Sequence, residues 1–146
     1  ASHGHNNRIF SLKYKPDDPN IIVSGGWDQN VPSAYILDKY LGFKIRNSLA
    51  TIFGPKIAGD SVDIRDNYVL AGANRGNDQL ELWDWKMNKV VTSLGGSIEI
   101  SKYFDNKQTN AFLFCAQFCH NSKDTVIAVG GSQLKMFSLV DGSEML

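Results

Sequence analysis

The amino-acid sequence predicts an all-β protein built from repeated units of four antiparallel strands. Apolar and polar residues alternate with a period of two along most of the chain, which is typical of half-buried strands. Three continuous apolar runs end in small residues, at Gly25-Gly26, Ala71-Gly72 and Gly130-Gly131, and each is typical of a buried strand that stops at a turn. The best helical candidate, residues 38–46, is short and contains Gly42. Helices are therefore not expected.

The first unit is predicted over residues 1–53. Its strands are expected at Ile9 to Tyr14, at Ile21 to Ser24, from Val31, and near Ile45 to Ile52. Pro32 interrupts the third of these strands, because proline has no N–H for the ladder. Residues 32–47 depart most from the repeat. An unusual insertion or an error in the gene model would each explain this departure.

Two further units follow, predicted over residues 54–94 and 111–146 and separated by a long polar loop at 95–110. Strands of the second unit are expected at Asp60 to Ile64, Tyr68 to Gly72, Gln79 to Trp85 and Lys89 to Leu94. Strands of the third are expected at Phe112 to Phe118, Thr125 to Gly130 and Gln133 to Leu139. The chain stops before a fourth strand and begins with Ala1, so a fragment of a longer chain is expected.

Composition and charge bear on the kind of partner. The chain has 146 residues, 42% of them hydrophobic, with 15 Lys+Arg balanced by 15 Asp+Glu. A surface for nucleic acid or anionic lipid needs an excess of basic residues, which is missing here. No apolar run approaches the ~18 residues of a membrane span. We therefore expect no nucleic-acid or membrane partner. A cytoplasmic location is expected from the two cysteines discussed next, with the nucleus or a cytoskeletal assembly as alternatives.

Cys115 and Cys119 are predicted to lie on one strand. Residues four apart on a strand are ~13 Å from each other, at ~3.3 Å per residue. That distance is too long for a disulfide, whose Cα atoms lie within ~7 Å. We expect reduced core thiols in a reducing compartment.

The sequence resembles the WD-repeat β-propeller family. The resemblance is carried by Gly4-His5, by Ser24-Gly25-Gly26-Trp27-Asp28 and by the Leu-Glu-Leu-Trp-Asp run at 80–84. The first two glycine-closed runs are also spaced close to the ~40 to 45 residues of a four-stranded blade. The resemblance implies about three blades of an incomplete ring, with the remaining blades supplied by the same chain or by a partner chain.

Each blade of that family is tied by a buried network of His, Ser or Thr, Asp and Trp. The resemblance places His5, Ser24 and Asp28 in this network in the first blade, and Asp78 and Trp83 in the second. The third blade has Phe137-Ser138 where Trp-Asp is usual. Trp83 and Trp85 are predicted to be core residues on opposite faces of one strand.

The resemblance also implies a binding face made of loops at one side of the disc. Trp27 follows two glycines in a turn, where an indole is suited to anchoring a partner, although packing within the turn is an alternative. The other candidates are the loop residues Arg8, Lys56, Arg75, Tyr103 and Phe104. Scattered solvated charges are the alternative interpretation of the basic members.

Sequence patterns typical of enzyme active sites are weak in this chain. His3 and His5 share one face of an extended segment but have no third metal ligand nearby, and His120 with Asp124 lacks a nucleophile signature. The glycine pairs open no helix that would hold a phosphate. We predict no catalytic residue, metal or cofactor. A non-enzymatic protein-interaction scaffold is the leading hypothesis; a structural subunit completed by other chains and a non-catalytic part of an enzyme complex are the alternatives.

Overall fold

A computed structural model of the chain describes residues 5, 7–28, 34–38, 48–53, 57–73, 79–94, 113–130, 133–141, 143 and 145. Over these ranges the chain is all-β. The strands are β1 (Ile9–Lys15), β2 (Asp18–Gly26), β3 (Ala34–Asp38), β4 (Ser48–Ile52), β5 (Val62–Arg65), β6 (Tyr68–Gly72), β7 (Leu80–Asp84), β8 (Lys89–Ser93), β9 (Leu113–Phe118), β10 (Thr125–Gly130) and β11 (Gln133–Ser138). This described part contains no helix capable of spanning a membrane.

The strands form three antiparallel sheets, each a blade of an incomplete β-propeller ring. Blade 1 has the order β1-β2-β3-β4, blade 2 has β5-β6-β7-β8 and blade 3 has β9-β10-β11. After β11 the chain turns back along that strand, where the N–H of Met145 donates to the carbonyl of Met136 at 2.8 Å. The all-β blade architecture predicted from the sequence is thus confirmed.

Several strand bounds, including those of β1, β5, β7, β8 and β11, differ from the predicted ones by one or two residues, and the largest described difference lies in β2, which contains a proline. β6 and β10 have the predicted bounds, whereas β2 begins earlier, at Asp18. The register with β1 shifts between the pairs Tyr14–Ile22 and Lys15–Asp18. Pro19 lies in the skipped stretch of β2, and its missing N–H suits a residue that makes no ladder bond. β3 begins at Ala34; Pro32 is outside the described residues.

The apolar core lies between blades rather than within one sheet. The first inter-blade interface packs Val23 and Ile52 of blade 1 against Val62, Ile64, Val69 and Trp83 of blade 2. The second packs Leu70 and Leu82 of blade 2 against Phe118, Val126 and Phe137 of blade 3. Neighbouring residues of one strand thus serve different interfaces, because successive side chains point to opposite faces.

The prediction that Trp83 and Trp85 lie on opposite faces was wrong. Both side chains belong to the apolar cluster of the first interface and are 8% and 7% exposed. Residues two apart on a strand share a face. Trp85 also lies beyond the end of β7, in the turn that follows. Their burial, the other half of the prediction, agrees with the structure.

The inner strands of blades 2 and 3 approach each other closely. Asp60 forms a parallel β-bridge with Cys115, and its carbonyl accepts the N–H of Ala116 at 3.3 Å. A Cβ on Gly59 would lie 2.2 Å from the carbonyl oxygen of Phe114, so only glycine fits there. Cys115 and Cys119 are free thiols and are half-buried rather than fully in the core.

Candidate interaction surface

A polar network joins the N-terminal segment to the end of β2. His5 Nδ1 lies 2.5 Å from Asp28 Oδ2, and His5 Nε2 lies 2.9 Å from Ser24 Oγ. The carboxylate only accepts hydrogen bonds, so Nδ1 carries the proton of the first contact. Asp28 Oδ1 also accepts the backbone N–H of Asn7 at 3.0 Å. The structure therefore brings together the three blade 1 residues that the resemblance placed in one network.

Gly26 makes room for this network. A Cβ at this position would lie 2.7 Å from both the Arg8 carbonyl oxygen and His5 Nδ1. The next residue, Trp27, donates its N–H to the same Arg8 carbonyl at 2.9 Å. The backbone before β1 and the backbone after β2 are thereby held side by side at one end of the blade 1 strands, which we call its edge.

The connectivity Asp28–His5–Ser24 matches that of a hydrolase triad, but its setting does not suit catalysis. A triad serine must present its hydroxyl to a substrate beside oxyanion donors. Ser24 lies within β2 between two neighbouring strands and is 2% exposed. The side chains of His5 and Asp28 are likewise only 6% and 1% exposed. A buried hydrogen-bonded set of this kind fixes local structure.

Trp83 makes a different contact from the one that the resemblance implied. Its indole N–H donates to Oε2 of Glu81 at 2.9 Å, inside the first inter-blade interface. Glu81, which is 6% exposed, was not identified from the sequence. Alternation is the signal that predicts this pair, because residues 81 and 83 share one face of β7. Asp78 lies outside the described residues.

Exposed aromatic side chains lie at the same edge of blade 1 as the network. Trp27 is 36% exposed, and its ring meets the ring of Phe10 edge-on with centroids 6.1 Å apart. Phe53, which follows β4 at that edge, is 58% exposed. Arg8 is exposed beside them. We call Arg8, Phe10, Trp27 and Phe53 the blade 1 edge; Phe10 and Phe53 were not predicted.

The other predicted surface residues lie outside the described part of the chain. They are Lys56, Arg75, Tyr103 and Phe104. Among the described residues, no group of three or more His, Cys, Asp or Glu side chains is arranged to hold a metal ion.

A small cavity lies where β5 turns into β6, between blades 2 and 3. It measures about 260 Å³, and its lining includes Arg65, Tyr68, Leu82, Phe118 and Leu139. Arg65 is already engaged, because its guanidinium donates to the carbonyls of Cys119 and Ser122 at 3.2 and 3.1 Å. It also lies 4.4 Å above the Phe118 ring centre. The Arg65 guanidinium at this cavity thus has a structural role, since it joins blade 2 to blade 3.

Comparison with known proteins identifies the fold. No family model and no curated protein sequence matches the chain. The computationally designed Ika4 protein superposes with a TM-score of 0.68 at 20% identity, over 100% of this chain and 75% of that one. The designed Ika8 protein gives 0.68 at 20% identity, over 98% and 37%. The Pan2 WD40 domain of Neurospora crassa gives 0.60 at 14% identity, over 100% and 41%. The chain is thus similar in fold to part of a WD40 domain and of designed proteins.

Proposed function

We propose that this chain is part of a WD-repeat propeller that serves as a non-enzymatic scaffold for other proteins. The observation that carries the proposal is the blade 1 edge, where three exposed aromatic side chains and an arginine lie at the same end of the blade 1 strands. Aromatic residues and arginine are the types enriched at interface hot spots. The likeness in fold to a WD40 domain supports the same assignment.

Rigidity at this edge favours binding. The backbone of Trp27 is tied to Arg8, and the adjoining Asp28 is held by His5 and Asn7. A loop backbone held in one place loses less conformational entropy when a partner docks, which raises affinity. Under this proposal the network around His5 positions the edge and performs no chemistry.

The remaining predicted residues extend the proposed surface. In the sequence, Lys56 comes four residues after β4 of blade 1, and Arg75 comes three residues after β6, the blade 2 equivalent of β2. Tyr103 and Phe104 belong to the long connection between blades 2 and 3. The partner class is protein, with no cofactor. Two free cysteines fit a reducing, cytoplasm-like compartment.

Affinity capture followed by titration tests the edge. Proteins captured on the 146-residue chain are identified, and the purified principal partner is titrated against wild-type and Trp27→Ala chains. We expect Trp27→Ala to weaken binding by about tenfold or more, as at a hot spot. The control is Met87→Ala, which removes a 64% exposed side chain from the β7–β8 turn. Equal affinity of Trp27→Ala and wild type would overturn the role of this edge.

The long connection is tested separately. Replacing residues 97–107 with a short Gly-Ser link should leave the melting temperature within a few degrees and abolish binding of the same partner. Long connections in compact domains are usually functional or linkers. Retained affinity would make the connection a passive insertion, and loss of folding would assign its apolar residues to the core.

A further inference from the structure

Trp85 of blade 2 and Leu139 of blade 3 occupy equivalent positions. Each is the residue directly after the third strand of its blade. The N–H of Trp85 donates to the carbonyl of Asn67 at 3.1 Å, and the N–H of Leu139 donates to the carbonyl of Asp124 at 2.7 Å. Asn67 and Asp124 each directly precede the second strand of their blade. The backbone therefore holds the two side chains in the same place relative to their own blades.

At the first interface this place is filled by an indole. Trp85 is 7% exposed and belongs to the apolar cluster, against which Ile21 and Ala50 of blade 1 pack. Its ring N–H donates to the carbonyl of Asp66 at 3.4 Å. The Lys86 ammonium lies 5.7 Å from its ring centre, within the range of a cation–π contact. The ring is thus held by apolar packing together with one acceptor and one cation.

At the second interface the equivalent place is the cavity described above. Leu139, which is smaller than tryptophan and half-buried, lines this cavity of about 260 Å³ together with Leu82, Val91 and Phe118. Phe118 is itself the equivalent of Ile64, a member of the cluster around the indole, because each pairs with the second residue of the neighbouring strand. The cavity therefore corresponds to the space that an aromatic ring occupies one interface earlier.

The comparison uses only strands that both interfaces contain. On the blade 2 side of the first interface, the apolar cluster draws on β5, β6, β7 and Trp85, and no residue of β8 belongs to it. The corresponding strands of blade 3 are β9, β10 and β11. The difference between the interfaces thus lies in the residue after the third strand.

Charges at the cavity favour an uncharged ring as its occupant. Four charged residues line it, and the formal charges of Arg65 and Lys123 cancel those of Asp66 and Asp124. The Arg65 guanidinium already donates to backbone carbonyls. No excess charge is therefore left to select a phosphate or an ammonium group. Lys123 and the two carboxylates are the kinds of group that an indole uses, a cation for its face and an acceptor for its N–H.

We propose that this cavity binds the tryptophan side chain of a partner polypeptide. Its volume of about 260 Å³ lies below the ~300–1,000 Å³ of pockets for small molecules and cofactors, which favours a single side chain. Tryptophan is also among the residues that most often anchor protein interfaces in pockets. The cavity is separate from the blade 1 edge, so the test below leaves the proposal for that edge unaffected.

Titration with short peptides tests the occupant. The ¹⁵N-labelled 146-residue chain is titrated with acetyl-Gly-Trp-Gly-amide and with the matched Ala peptide, and backbone amide shifts are followed by nuclear magnetic resonance. The Trp peptide should shift the amides of Tyr68, Phe118 and Leu139 saturably, with a dissociation constant on the order of 1 mM. The Ala peptide should cause no such shifts. Absence of saturable shifts with the Trp peptide would overturn the proposal.

Free indole serves as a third probe, because it offers the same ring without a peptide backbone. Binding of both indole and the Trp peptide at the same amides supports a side-chain site. Binding of indole without binding of the Trp peptide would assign the cavity to a small aromatic molecule and overturn the polypeptide occupant.

A variant that fills the cavity from within tests its location. Leu139→Trp places in blade 3 the residue that blade 2 has at the equivalent position, so it should raise the urea midpoint and weaken binding of the Trp peptide by about tenfold or more. Val140→Trp is the control, since it adds the same ring at a neighbouring residue that is 78% exposed. That control should bind like wild type. Wild-type affinity in Leu139→Trp would overturn the proposed location.

A second variant keeps the test decisive if Leu139→Trp loses its β signal in far-ultraviolet circular dichroism. Val91→Trp introduces a ring at the cavity from β8, where the wild-type side chain is 49% exposed and tryptophan suits a strand. Val90→Trp is its control, because Val90 is exposed and outside the cavity lining. Peptide binding should weaken in Val91→Trp alone. Equal affinities of these two variants would contradict the proposal.

Discussion

The two inter-blade interfaces are held by different polar contacts. At the first, Asp60 accepts hydrogen bonds from Ser11 at 2.9 Å and from Lys13 at 3.0 Å, so side chains bind side chains. At the second, Asp63 accepts the backbone N–H of Phe118 at 2.8 Å, and Arg65 donates to three backbone carbonyls of the turn before β10. The two Asp60 contacts are part-buried and exposed. At the second interface the Asp63 contact is buried, while the Arg65 contacts are part-buried or exposed.

This difference in polar contacts predicts how each interface responds to substitution. The Lys13 and Asp60 side chains are 29% and 56% exposed, and ion pairs in such settings stabilise a protein weakly. The hydrogen bonds of Asp63 and Arg65 end on main-chain groups, so they depend little on side-chain identity in blade 3, whereas the contact of Arg65 with the Phe118 ring does depend on it. We expect the first interface to depend mainly on apolar packing and the second on both packing and buried polar contacts.

Substitutions at two adjacent core residues of β7 compare the apolar packing of the two interfaces. Trp83→Ala removes a buried side chain from the first interface, and Leu82→Ala removes one from the second. The wild-type residues are 8% and 6% exposed. Truncating a buried tryptophan costs about 3–5 kcal/mol and a buried leucine about 2–5 kcal/mol. Trp83→Ala should be the more destabilising change, because it also removes the indole donor of Glu81. Equilibrium denaturation in urea checks the order, and a larger loss for Leu82→Ala would reverse it.

Substitutions of Asp63 and Asp60 compare the polar contacts of the two interfaces. Asp63→Ala leaves the buried N–H of Phe118 without its acceptor, at a cost of about 1–3 kcal/mol in the free energy of unfolding. Asp60→Ala breaks a partly exposed contact and should cost less than about 1 kcal/mol. The urea midpoints of the two variants measure the difference. Equal midpoints would show that buried main-chain ties do not distinguish the second interface.

Acid titration sharpens the role of Asp63. Burial raises the pKa of its carboxyl above the ordinary 3.8, while the N–H groups of Phe118 and Ile64 act in the opposite direction. A carboxyl with a raised folded-state pKa contributes stability that is present below its ordinary pKa and is lost as pH rises through the folded-state value. Wild type should therefore gain stability relative to Asp63→Asn as pH falls through this window. Unfolding midpoints measured across the acid range test this, and a constant difference would refute it.

Salt should produce the smallest effect, at the first interface. Lys13→Met removes a partly exposed ion pair, so we expect a loss of about 0.2–1 kcal/mol at low salt and less at high salt. The hydrogen bond to Asp60 also raises the pKa of Lys13 above its ordinary 10.5. That contribution is present below the ordinary pKa and is lost as pH rises through the folded-state value. Unfolding midpoints at low and high salt provide the measurement, and a salt-independent loss would point to packing by the lysine stem.

Local pattern predicted much of the fold. Alternation and glycine-closed apolar runs sufficed for β6 and β10, whose bounds match, and for the repeated blade plan. The early start of β2 did not follow from the pattern, because the register shift beside Pro19 depends on how β1 pairs with it. The Trp83 and Trp85 prediction failed by misapplying the period of two.

Whether a site residue could be predicted depended on whether its partners are recognisable from nearby positions in the sequence. His5, Ser24 and Asp28 were named because the resemblance fixes their spacing along the sequence. Asp63 and Arg65 were not named, because their partners lie in another blade more than 50 residues away. Phe10 became part of the blade 1 edge only through its contact with Trp27, which pairing between β1 and β2 creates.

Gly59 has a consequence for the curvature of the whole assembly. Its missing side chain lets the inner edges of blades 2 and 3 touch, with 2.2 Å left for a Cβ beside Phe114. A methyl group there would wedge the inner edges apart while the outer strands stayed in place, which would reduce the angle through which one blade turns into the next. A smaller angle demands more blades per closed circle. We therefore expect the angle between blades 2 and 3 to depend on glycine at residue 59.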